Sequence, residues 1–356
     1  MQKMTKRVAF PPDHDIARAP ALLALRSGAM GFRRALTALV VAATLAFVAA
    51  GSAALGRVHL PRDHYAHPQT GIEWWYATGI VRGGDGHRYS VFYTLFRRMG
   101  FVLPISQVVD LGTGALVGQS ETLAPAVLGT KKLAVSVPGG GLRYRQRTNT
   151  WQFSAADSAG TYALSLRATP QKRYVLHGGG TGVISQSVAG PSAYYSATRM
   201  TARGTITKSG TAVRVVGAAW FDHQWGNFVN DPRAFNWDWF SCRFDDRTEL
   251  MLYRFRDRLG QPLSADRSGT YILRTGKSRV ETAFDTIPGE RTLDAAGHRW
   301  PLDWELRVPA ERLDVKITSI VDDQLFRGTL VPTFWEGAAT ASGTKTGICF
   351  VEQTYA

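Results

Sequence analysis

The stretch HPQTGIEWWYATG, residues 67–79, places one carboxylate, Glu73, directly against Trp74, Trp75 and Tyr76 at the head of a run that reads as β-strand. The later apolar runs are short and bounded by Gly, Pro, Asp or Asn. HRYSVFYTLFRR (87–98), KKLAVSV (131–137), TWQFSAA (150–156), TYALSLRAT (161–169), TAVRVVGAAWFD (211–222), TELMLYRFRD (248–257), SGTYILR (268–274), DWELRVPA (303–310) and LDVKITSI (313–320) alternate with a period of two. After residue 57 no window sustains a 3.6-residue helical pattern for three turns. The expectation is an all-β protein with many turns.

Two of those turns suggest a repeat. GGDGH (83–87) and FDDRT (244–248) each join an aromatic-rich strand to one ending in arginine. Aligning WWYATGIV with DWFSCRF, and VFYTLFR with LMLYRFR, sets Trp75 against Trp239 and Tyr93 against Tyr253. In a chain of 356 residues this points to two related antiparallel β-barrel or sandwich domains, at 57–228 and 229–356. A barrel of about eight strands encloses room for a small ligand.

Residues 1–34 form a basic leader in which Lys3, Lys6, Arg7, Arg18, Arg26, Arg33 and Arg34 outnumber Asp13 and Asp15. Residues 35–56, ALTALVVAATLAFVAAGSAALG, carry no charge. That segment is long enough to span a bilayer as a helix, and GSA at 51–53 also resembles a signal-peptidase site. Arg33 and Arg34 orient the chain beyond this segment outward. The domains are therefore expected outside the cytoplasm, periplasmic after cleavage or anchored in the inner membrane through 35–56; a start at Met30 would make an ordinary signal peptide. The net charge of +14 falls to +9 beyond the leader, and those charges are spread singly between strand-like runs, not gathered into the stripe that nucleic acid requires. Cys242 and Cys349 fit either one disulfide in an oxidising compartment or two buried thiols.

Tryptophan clusters at Trp74 and Trp75, at Trp220, Trp225, Trp237 and Trp239, and at Trp335. Strand alternation puts Trp237 and Trp239 on one side with Asp238 opposite, and His223 and Trp225 on one side with Asp222 and Gln224 opposite. An imidazole and an indole facing one cavity suit a particular chemistry. Protonating the carbon of an apolar alkene creates a cation, and indole faces stabilise cations. The proton must come from an acid kept undissociated by burial, and Glu73 beside Trp74, or Asp238 between two indoles, meets that description. Histidine is the natural partner for activating water. Each feature also has a plain structural reading, with the rings as core plugs and Glu73 as a carboxylate tying a strand end to backbone amides. No nucleophile-elbow pattern occurs. Asp63, His64 and His67 could supply metal ligands from a loop, but without a third nearby imidazole no metal is expected, and HGGGTG (177–182) reads as a loop.

Taken together, LPRDHYAHPQTGIEWWYATGIV, AWFDHQWGNF, WDWFSCRFDDRTELMLYRFRD and TFWEGAATASGTKTGICFVEQTYA resemble the carotenoid 1,2-hydratase and AttH-like family, and the resemblance spans almost everything after residue 57. It implies two lipocalin-like β-barrel domains and a deep apolar pocket near their junction for an isoprenoid, polyketide or lipid-like molecule, with no cofactor. In the hydratase branch a histidine and a tryptophan two residues later act together, matched by His223 and Trp225. That branch also uses a tyrosine and an aspartate two residues apart; Tyr253 matches the first, but Phe255 stands at the second, which argues against carotenoid hydration itself. Two functions are then expected to compete. One is an exported carrier of an apolar ligand, working alone or with an exporter complex. The other is a cofactor-independent hydratase or isomerase with Glu73 or Glu336 as acid, His223 as base, Asp222 in a supporting role, and Trp225 and Tyr253 lining the site. Trp74, Trp75, Tyr76, Trp237, Trp239, Phe255 and Trp335 complete the expected lining.

Overall fold

A computed structural model describes residues 55–185, 189–228 and 235–355. The leader, nearly all of the 35–56 segment and the start of the expected second domain at 229 lie outside the described residues. Among the described residues no helix is long and apolar enough to cross a membrane.

The chain is all-β, built mainly of two curled antiparallel sheets of the lipocalin-like kind, with a small two-stranded sheet between residues 292 and 301. The first is drawn from residues 72–226 and the second from 236–354. Four strands in each position the side chains of interest. In the first they are β1 (Ile72–Gly83), β2 (Arg88–Arg98), β3 (Ser192–Lys208) and β4 (Thr211–Gly226). In the second they are β5 (Asn236–Phe244), β6 (Glu249–Arg256), β7 (Phe334–Gly343) and β8 (Gly347–Thr354). The order is β2-β1-β4-β3 in one sheet and β6-β5-β8-β7 in the other, so each sheet pairs its first strand with its last. The turns at 83–87 and 244–248 close the β1–β2 and β5–β6 hairpins through Gly83 N–H to His87 O and Phe244 N–H to Thr248 O.

The two sheets share this strand order, but the side-chain faces do not follow the expected alignment. Glu73 faces Arg97 across β1 and β2, and Asp238 faces Arg254 across β5 and β6. Trp75 lies on the inner face of its sheet, as Phe240 does in the second, whereas Trp239 lies on the outer face. A one-residue slip exchanges the two faces of a strand. Trp75 accordingly packs inside the first sheet, whereas Trp239 packs between the sheets.

Three apolar clusters result from that alternation. One fills the first sheet around Trp75, Trp151, Phe153 and Phe221, and one fills the second around Phe240, Trp300, Trp304 and Trp335. The third lies between the outer faces of both sheets and holds Tyr76, Phe92, Trp220, Trp239, Tyr253, Phe255 and Phe350. The first sheet closes over its core by touching itself: Ser106 Oγ lies 2.9 Å from Tyr162 Oη. Gly118 is required at that contact, because a Cβ there would come 2.4 Å from the Tyr162 ring. Cys242 and Cys349, directly opposite on β5 and β8, form a disulfide inside the second sheet.

Candidate active site at the junction of the two sheets

Strand β4 divides the candidate residues. His223 and Trp225 point into the first sheet with Phe221, while Trp220 and Asp222 point to the junction. The two faces carry different chemistry.

On the inner face Glu73 is fully buried and fully satisfied. Its Oε1 accepts from His67 Nδ1 at 2.8 Å and from His223 Nε2 at 2.9 Å, and its Oε2 accepts from Arg97 Nε at 2.8 Å. An ionised carboxylate can only accept, so both imidazole nitrogens carry hydrogen. The rings are clamped as well. His67 lies flat on Trp225 at 3.9 Å, and His223 stacks on Trp75 at 4.6 Å. His223 Nδ1 lies 3.2 Å from Tyr195 Oη, which in turn meets His64 Nδ1 at 2.7 Å.

The expectation that the indoles raise the Glu73 pKa is overturned. Burial does push it upward, but hydrogen bonds from His223 and His67 outweigh burial and hold it at about 2. Burial also drives His223 down to about 4 and His64 to about 3, so both are neutral at pH 7. His67 is the exception: its hydrogen bonds to Asp63 and Glu73 overcome burial and raise its pKa. Where a hollow beside His223 and Trp225 is expected, their rings pack, among the described residues, against Trp75, Tyr195 and His67. The void deeper in this sheet, lined by Ala77, Val91, Tyr93, Phe153 and Ala219, has about the capacity of one water. Donor atoms of His67, Glu73 and His223 lie within 4.8 Å of one another and form a conceivable metal set. Those atoms are already spent on mutual hydrogen bonds, beside the Arg97 guanidinium that would repel a cation.

At the junction no cation among the described residues pairs with the acids. Glu336 on β7 stands directly across from Glu352 on β8, and opposed like charges are destabilising, which favours keeping a proton on the pair. Glu336 Oε1 accepts from Tyr76 Oη at 2.7 Å, while its Oε2 has no hydrogen-bond partner. Burial first, then Glu352 and Asp222, push the Glu336 pKa well above the carboxylate range. Glu352, which keeps some exposed surface, accepts from Trp237 Nε1 at 2.7 Å and is raised by burial to about 7. Asp222 accepts from Trp220 Nε1 at 2.7 Å, from Tyr194 Oη at 2.9 Å and from Ser196 Oγ; burial outweighs these bonds and lifts it to about 7. Tyr194 also accepts from Trp239 Nε1 at 3.2 Å, and Ser196 meets His177 Nε2 at 2.7 Å. Tyr253 and Phe255 pack edge to face on the same side, and Trp74 lies part-buried against Phe96 and Phe228.

The structure therefore brings together Asp222, Glu336, Tyr76, Trp237, Trp239, Tyr253 and Phe255, with Trp74 nearby. It places Glu73, Trp75, His223 and Trp225 inside the first sheet. Trp335 is corrected likewise: because Glu336 faces the junction, its neighbour faces the core of the second sheet, where Nε1 donates to Asp322 O at 2.9 Å. Asp238 is no free acid, being held at 2.9 Å by both Arg254 Nε and Arg256 Nε. Asp257 closes a turn by accepting from Leu259 N and Gln261 N. Glu352, Tyr194 and His177 are additions that the sequence does not single out. The alternation in CFVEQT draws some attention to Glu352; nothing in the sequence announces its partner across the strand.

The two curled β-sheets meet at a cluster of carboxyls, Asp222, Glu336 and Glu352, that pairs with no cation among the described residues. The chain belongs to the AttH-like family, whose model matches residues 120–355. A kievitone hydratase from Fusarium solani subsp. phaseoli is 25% identical over 297 residues, covering 76% of this chain and 77% of that protein. Among solved structures, an AttH protein from Nitrosomonas europaea superposes with a TM-score of 0.74 at 24% identity, over 84% of this chain and 97% of its own. Kievitone hydratase from Nectria haematococca gives a TM-score of 0.71 at 21% identity, over 85% of this chain and 94% of its own.

Proposed function

We propose that the protein is a cofactor-independent hydratase that adds water across a C=C bond of an apolar substrate at the junction of the two sheets. The observation that carries this reading is Glu336: a buried carboxyl kept protonated by its surroundings, with one oxygen unpartnered. The relative named as a hydratase supports the same reaction class. Glu336 gives its proton to one alkene carbon, leaving a cation on the other. Trp239 and Tyr253 border the position where that cation forms, and aromatic faces stabilise it. Water attacks the cation, and the proton it sheds is taken by the ionised fraction of Asp222 or Glu352 and passed on to the Glu336 carboxylate, which restores the acid. One C–H and one C–O bond form, the π bond is lost, and no electrons are exchanged with a cofactor. Carboxyls whose environments set their pKa values apart divide acid and base roles in this way.

The test is incubation with kievitone and a panel of isoprenoid alkenes in ¹⁸O-labelled water, read by mass spectrometry. The product is expected to gain one water with the label on its new hydroxyl. Glu336→Gln should lower turnover about 10²–10⁴-fold, the usual contribution of a positioned acid, with circular dichroism unchanged. Full activity in that variant overturns the assignment. Recovery of unaltered ligand in stoichiometric amount favours a carrier instead.

A further inference from the structure

The same junction holds a second buried group that the hydration step does not use. Arg243 lies on β5 four residues beyond Trp239, on the same strand face and about 13 Å further along. Its side chain is buried at 8% exposure, yet among the described residues no hydrogen bond or ion pair ends on it, and Nη1 is cut off from water. Glu249 faces it across β6. That carboxylate is already committed to Lys172 Nζ at 2.7 Å and Arg199 Nε at 2.8 Å. Lys172 also donates to Arg247 O and Leu273 O, and Arg199 Nη2 to Phe244 O. Two cations are thus already paired with the one anion that faces Arg243. Burial, then Arg199, lower the Arg243 pKa to about 10, with Glu249 acting the other way.

A buried cation without a partner is costly to retain, and an apolar side chain of similar size would serve packing better. A guanidinium fork is also the side chain best matched to two oxygens of a carboxylate or phosphate. The surroundings say what else such an anion carries. Between Arg243 and the acid cluster the junction is lined by Met251, Trp239 and Tyr253.

We propose that Arg243, flanked by Arg199, is an oxyanion subsite that receives the carboxylate or phosphate head of a ligand whose apolar body runs along the junction toward Trp239. The subsite rests on Arg243 alone; that the body presents its double bond to Glu336 rests on the hydratase reading above.

Binding to the full chain would be measured by calorimetry at low salt with octanoate, octyl phosphate, octanol and inorganic phosphate. At least one of the two anionic amphiphiles is expected to bind at least tenfold more tightly than octanol and than inorganic phosphate. Arg243→Met should abolish that preference while melting at or above the wild-type temperature. Should that variant not fold, Arg243→Lys, which keeps the charge and loses the fork, should still weaken the preferred amphiphile several-fold. Equal affinity for octanol and both anions, tighter binding of inorganic phosphate than of either amphiphile, or undiminished preference in the variants would overturn the subsite. These probes carry no C=C bond, so their binding is read independently of hydration. A failed hydration assay and a failed anion subsite are thereby told apart.

Discussion

Glu73 and Asp238 are both inward-facing carboxylates near the open end of a hairpin, one in each sheet, and their surroundings differ. Each points into its own sheet, and each faces an arginine directly across the neighbouring strand. In the first sheet the carboxylate gathers His67 and His223, clamped by Trp225 and Trp75. In the second it gathers another arginine, Arg256, and the positions matching His223 and Trp225 are Val351 and Gln353. A carboxylate–arginine pair that recurs where no imidazole is present is a device for closing the open end of a curled sheet. The histidines are additions to that device, and the comparison makes them separable from it.

The largest expected effect comes from removing either carboxylate. Glu73→Ala leaves Arg97 buried without its partner, and Asp238→Ala strands Arg254 and Arg256; each should cost about 3–5 kcal/mol in chemical denaturation. The comparison breaks if the milder Glu73→Gln abolishes turnover in a folded protein while Asp238→Asn does not, for the inner nest would then belong to the chemistry.

A second effect should separate the sheets by pH. The folded His223 pKa of about 4 lies below the ordinary imidazole value, so the unfolded chain binds the extra proton first as pH falls below about 6.5. His64, at about 3, behaves the same way. The stability these neutral histidines contribute is present above pH 6.5 and is lost as pH falls through 4, at up to about 1.4 kcal/mol per pH unit for each group. Hydrogen exchange should therefore show β1 and β4 losing protection between pH 6 and 4 before β5 and β8. Simultaneous loss in both sheets would show that the histidines are not the local weak point.

The smallest effect tests the ring stack. Trp225→Phe keeps an aromatic face under His67 but trims the overlap, and should cost about 0.5–1.5 kcal/mol without changing turnover. A tenfold fall in turnover would place Trp225 at the reacting atoms.

Much of this is legible in the sequence. The alternating runs mark the strands, and HQW is enough to put His223 and Trp225 on one face and Asp222 on the other. What local pattern cannot supply is register between strands. Matching letters set Trp75 against Trp239, although the backbone pairs Glu73 with Arg97 and Asp238 with Arg254. For the same reason the acidity of Glu73 escapes a local reading. Its indole neighbours are visible at 74 and 75, while the groups that decide its charge come from positions 67, 97 and 223. Trp335 beside Glu336 repeats the lesson, since adjacency in a strand means opposite faces.

Strand β4 carries the junction acid Asp222 and the hydrogen-bonded imidazole of His223 as consecutive residues. Inserting or deleting a single residue upstream within that strand would therefore turn the acid inward and the imidazole outward together, whereas substitutions at even-numbered positions alone leave the inner nest intact. Substrate preference in this scaffold can drift through replacements at those positions, while changes of chain length are confined to its turns.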